Sequence, residues 1–96
     1  MIFLTREGDL SYSDGLLYFY SSEHGFPLGE MMFQLITKLD HVYDIICIDL
    51  FYFKKIYKRF EIEEIPTILV MKGGVEIKRI NGVPSIKDID NILKKD

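Results

Sequence analysis

The sequence predicts an α/β domain, a mixed central sheet flanked by helices on both faces. Three observations carry that expectation. Two short apolar runs, "LLYFY" (16–20) and "DIICIDL" (44–50), have the character of strands buried on both faces. An amphipathic stretch separates them, which makes the connection a helical crossover and the two strands parallel. Later, Gly73-Gly74 divides two strand-like runs and reads as the turn of an antiparallel hairpin.

Each element follows in order. "IFLT" (2–5) is a short edge strand, and the polar, turn-rich "REGDLSYSDG" after it ends in Asp14-Gly15. Strand 16–20 runs into the loop "SSEHGFP". Pro27 suits a first helical turn, where a missing N–H costs nothing. Leu28, Met31, Met32, Leu35, Ile36 and Leu39 then mark one face of a helix of about three turns. Beyond strand 44–50, Phe53, Ile56, Tyr57 and Phe60 sketch a second amphipathic helix. "TILVM" (67–71) and "VEIKRI" (75–80) form the hairpin; Val75, Ile77 and Arg79 alternate with Glu76, Lys78 and Ile80, so one face should be wet. Ser85 with Asp88 three positions on has the form of a capping box. Ile86, Ile89, Asp90 and Leu93 are expected along the inner edge of the last helix, with Lys94 and Lys95 at its negative end.

Composition narrows the function classes. The 96 residues, 48% hydrophobic, suit one globular domain over 1–96. Apolar runs are too short to span a bilayer, and the start lacks the basic and apolar segments of a secretory signal, so a cytoplasmic protein is expected. A net charge of −3 counts against a general nucleic-acid binder. Cys47 is the sole cysteine, which excludes an intramolecular disulfide or a cysteine-pair redox centre. Cys47, His24 and His41 fall in three separate segments without zinc-ligand spacing, so neither metal nor cofactor is expected.

From residue 60 the chain becomes more specific. "FEIEEIPTILVMKGGVEIKRINGV" (60–83) resembles the C-terminal half of thioredoxins, with Ile65-Pro66-Thr67, Lys72-x-Gly74 and Gly82 at that family's spacing. "LLYFYSS" is similar to the family's central strand, and "ICID" (46–49) to the strand after its active-site helix. The resemblance covers nearly the whole chain, and it implies a thioredoxin fold whose first helix is shortened or missing, because residues 8–15 are too few for it. It further implies a cis Ile65–Pro66 bond facing the loop before the first long helix.

That loop departs from the family. Where thioredoxins carry Trp-Cys-Gly-Pro-Cys, this chain has Glu23-His24-Gly25-Phe26-Pro27-Leu28. His24 and Leu28 stand about where the cysteines would be, in a loop one residue longer. The family's buried Asp corresponds to Tyr18 and its partner Lys to Ile45. Thiol exchange needs a thiolate and a second sulfur to resolve the mixed disulfide, so the resemblance implies a domain without dithiol redox chemistry.

What remains is a binding scaffold. The expected site is a groove between His24, Gly25, Phe26 and Pro27 on one side and Ile65, Pro66 and Thr67 on the other. A protein partner or extended peptide would add there as a strand along the Ile65 backbone. His24 is either a neutral hydrogen-bonding or weakly basic group, or a surface side chain in a vacated position. Phe26 either extends an apolar rim or packs on the helix start. Cys47, inside an Ile-rich run, is expected to be buried and inert. The basic run "FYFKKIYKRF" (51–60) reads as a solvated helix face pointing away from the groove, or as a contact for an acidic partner or nucleic acid. Two other classes stay open: a residual enzyme using His24 or a Cys47 monothiol, and a self-associating subunit that forms a homodimer.

Overall fold

The computed structural model describes residues 1–10, 14–24 and 30–94. Among these, the strands are β1 (Ile2–Phe3), β2 (Asp14–Tyr20), β3 (Ile45–Asp49), β4 (Thr67–Lys72) and β5 (Val75–Asn81); the helices are α1 (Glu30–Asp40), α2 (Lys54–Arg59) and α3 (Ile86–Leu93). One sheet has the order β1-β3-β2-β4-β5. β1, β3 and β2 are parallel, while β4 runs antiparallel to β2 and to β5. Between β1 and β2 the described residues hold only a 3-10 turn, Glu7–Asp9, in place of a helix. The mixed sheet, the C-terminal hairpin and the shortened start all agree with the sequence.

Strict alternation along β2 splits the core into two layers. Leu16, Tyr18 and Tyr20 join Ile45, Cys47, Ile68 and Val70 under α1 and α3, which contribute Met32, Ile36, Leu39, Ile89 and Ile92. Leu17 and Phe19 point the other way and pack with Ile48, Leu69 and Met71 under Ile56 of α2 and Ile62. Every residue of the run 16–20 is buried, as a strand covered on both faces requires. Each such apolar side chain stabilises the fold by about 1.5–3 kcal/mol relative to exposure. β2 begins with a close approach: Gly15 has φ +121°, and a Cβ there would collide with the Asp44 carbonyl oxygen. That same oxygen accepts from Leu16 N at 2.8 Å.

Two expectations about apolar faces need correction. Ile86 is 84% exposed, and Ile92 takes its place in the core. At 100° per residue, a stripe centred on Ile89 and Ile92 leaves Ile86 roughly a quarter-turn off it, and Asp90 lies outside it as well. The capping box itself is present: Ser85 Oγ accepts from Asp88 N, and the Asp88 carboxylate accepts from Ser85 N. Those bonds hold the Asp88 carboxyl below the usual range.

The second correction concerns β5. Lys78 lies opposite Val70 but Glu76 lies opposite Met71, so Ile77 has no opposing residue, as in a β-bulge. The slip brings Glu76 onto the face of Arg79, which donates to its carboxylate at 2.9 and 3.0 Å. Val75 and Ile77 end up exposed, while Ile80, beyond the slip, is buried. Arg79 also donates to the carbonyl oxygens of Phe60 (2.6 Å) and Glu61 (2.8 Å), tying β5 to the end of α2.

Candidate functional site

The carboxyl ends of β2 and β3 are where an open α/β sheet usually binds its ligand. Asp49 closes β3 there with a buried carboxylate, an arrangement that requires partners. Its Oδ1 accepts from Ser22 N and from Phe51 N, both at 3.0 Å. One carboxylate therefore fixes the two chain segments that leave the sheet. The first enters a 3-10 turn, Ser22–His24, and the second leads to α2.

Between them lies a groove of about 450 Å³, lined by Ser21, Glu23, Leu50, Phe51, Lys54, Tyr57, Lys58 and Ile65. Ile65 is half-buried and packs against both core layers. Its peptide bond to Pro66 is cis, as the resemblance implies. Pro66 O accepts from Gly82 N at 2.7 Å. Thr67 is fully buried, and its hydroxyl donates to Glu64 O at 2.6 Å, so its side chain serves the turn that presents Ile65.

Of the other expected site residues, His24 ends the 3-10 turn beside Glu23. Gly25, Phe26 and Pro27 lie outside the described residues, and so do both readings of Phe26. The basic helix is different. It was expected to face away from the groove, yet Lys54, Tyr57 and Lys58 line it together with Ile65. The helix is short, and Phe51 and Leu50, just before it, already stand at the groove; a side chain on α2 therefore reaches the same space. The sequence signal was present in the aromatic-basic alternation of 51–58, but the tertiary placement of α2 was not.

Cys47 is buried in the middle of β3, opposite Tyr18. Burial pushes its thiol up to about 12, the chain's amino terminus opposing this and Asp40 adding to it. Burial also raises Tyr18, the residue in the family's aspartate position, and raises Tyr20 to about 12 with a contribution from Asp49. Tyr18 and Tyr20 stack at 5.6 Å between ring centres. Both are protonated at neutral pH. No group of three or more potential metal ligands occurs among the described residues, and no helix among them is long and apolar enough to cross a membrane.

A second cleft of about 670 Å³ opens at the other end of the sheet, by Gly15, Asp44 and Ile92. Its walls mix Asp14, Asp40 and Asp44 with Lys72, Lys78 and Lys94, so no single sign of charge converges on it.

No protein-family model matches the chain, and no curated protein sequence does. Solved structures do. A chain from the structural study of the thiol-resolving mechanism in yeast mitochondrial 1-Cys peroxiredoxin, via glutathione/thioredoxin systems, is 22% identical with a TM-score of 0.78, over 99% of this chain and 95% of that one. A malarial protein is 21% identical with a TM-score of 0.68, over 85% and 94%. Thioredoxin-2 of the malaria parasite, a component of its protein secretion machinery, is 18% identical with a TM-score of 0.70, over 97% and 91%. At such identities the likeness is one of fold. The chain has the thioredoxin fold, with one cysteine and no Cys-x-x-Cys.

Proposed function

We propose that this domain is a redox-inactive thioredoxin-fold scaffold, acting in the cytoplasm, that holds an extended segment of a protein partner in the groove beside Ile65. The groove carries the reading. It lies at the carboxyl ends of the parallel strands, it is lined by Leu50, Phe51, Tyr57 and Ile65 with a few polar groups, and its volume suits a short peptide segment. Among the described residues, the Ile65 backbone has no hydrogen-bond partner, which suits the addition of a strand. The lone thiol is buried and protonated, so it supports no exchange chemistry.

Selection of a displayed library of random nonapeptides on the whole chain tests it. The expected result is enrichment of a limited set of sequences that no longer bind Ile65→Asp or Tyr57→Ala protein of unchanged circular dichroism. No enrichment, or enrichment indifferent to both substitutions, sinks the groove as a peptide site.

A further inference from the structure

We infer that the groove selects segments carrying acidic side chains, an inference that rests on the peptide-binding reading and adds the chemistry of the partner. Helix α2 has the sequence KKIYKR, which is four of the chain's twelve Lys and Arg residues with no acid among them. Lys58 and Arg59 in its last turn are explained locally, because cations suit the negative end of a helix. Lys54 and Lys55 are not. They occupy the first turn, where the dipole disfavours cations and where no acidic residue is present to offset them. Lys54 and Lys58 also repel each other at i,i+4. The helix is thus charged against its own stability, and Lys54 and Lys58 bring part of that charge to the groove.

The geometry gives that charge a use. Lys54 and Lys58 stand one helical turn apart on the wall that also holds Tyr57. Lys54 Nζ lies 5.8 Å from the centre of the Phe51 ring, which holds the ammonium over the aromatic edge of the groove. Among the described residues neither lysine is in a salt bridge. Among the described residues Glu23 is the one acidic side chain in the lining, so two cations meet one anion there, on a chain whose net charge is −3. A carboxylate from an extended segment, laid between Lys54 and Lys58, relieves their repulsion while apolar neighbours in the same segment cover Leu50 and Ile65. Glu23 and the overall acidity favour such a peptide over a phosphate backbone.

The peptides enriched by the nonapeptide selection decide the matter. They are expected to carry excess Asp and Glu. One of them, synthesised with its Glu and Asp changed to Gln and Asn, should bind roughly fivefold or more weakly, the scale of two exposed ion pairs. Lys54→Gln with Lys58→Gln should remove the difference between the two peptides, while Lys55→Gln, off the groove lining, should preserve it. Enrichment without acidic excess, or equal binding of the neutral peptide, overturns the acidic preference and leaves the peptide groove standing. No enrichment at all overturns both. A single-stranded oligouridylate that displaces the peptide and binds more tightly than it assigns the face to nucleic acid instead.

Discussion

Asp49 shows how much one side chain can organise. It is the acid at the end of an otherwise apolar strand, and two backbone amides from different segments converge on a single oxygen. Asp49→Ala leaves both donors without it and should cost about 2–4 kcal/mol in urea unfolding; Asp49→Asn, which keeps an acceptor, should cost roughly half. A loss below about 0.5 kcal/mol for the alanine variant would mean that water replaces the carboxylate there. Cys47 makes a second, pH-dependent prediction. Its thiol titrates near 12 in the fold against 9.0 when unperturbed, so above pH 9 the unfolded chain releases a proton that the folded chain keeps. The Cys47 contribution should therefore be flat well below pH 9 and fall as pH rises from 9 towards 12, by about 1.4 kcal/mol per unit once the unfolded thiol is ionised. Between pH 9 and 10 Cys47→Ala should flatten the decline, since Tyr20 starts only from 10.0. An unchanged slope in that variant would place the alkaline sensitivity elsewhere. The burial of the cysteine was legible from its Ile-rich surroundings. Asp49's role was not, because nothing in the run 44–50 says which amides will lie beside its last acid.

At the scale of elements, the sequence is read best where period and burial coincide. β2 and β3 are continuous apolar runs with both faces covered, and α1 keeps its stripe of Met32, Ile36 and Leu39. The apolar edges of β5 and α3 differ from the sequence pattern because each departs from a single period: β5 carries an unopposed residue, and the stripe of α3 is centred past its first turn. The link from Arg79 to Phe60 and Glu61 spans nearly twenty residues and has no local signature. Gly15 gives the firmest prediction at this scale. Its backbone angle is one that L side chains rarely adopt, and the Asp44 carbonyl occupies the place of a Cβ. Gly15→Ala should destabilise by more than about 1 kcal/mol, seen as a lower thermal midpoint, because strain and clash add. A midpoint within a degree of the parent would show that the β2–β3 junction yields easily.

For the molecule as a whole, the thioredoxin fold and its resemblance to the family were legible from 60–83, whereas the make-up of the groove was not. Local patterns locate strands and helices, but which helix face meets Ile65 depends on how the crossover closes over the sheet. With one thiol, and that one buried, the protein should not turn over insulin disulfides with dithiothreitol as reductant; precipitation of insulin faster than in the protein-free control would contradict the scaffold reading. The molecule must also coexist with its own copies. β5 is an outer strand, and an outer strand is an invitation to endless stacking unless something spoils its line. The spoiler is Ile77, one residue too many. Removing it restores an even pleat from the hairpin to Asn81, with Val75 at one end and Ile80 at the other. Such a deletion variant should scatter light and bind thioflavin T on incubation at concentrations where the parent stays clear. If it stays equally clear, the charges of Glu76, Lys78 and Arg79 suffice to keep neighbouring molecules apart.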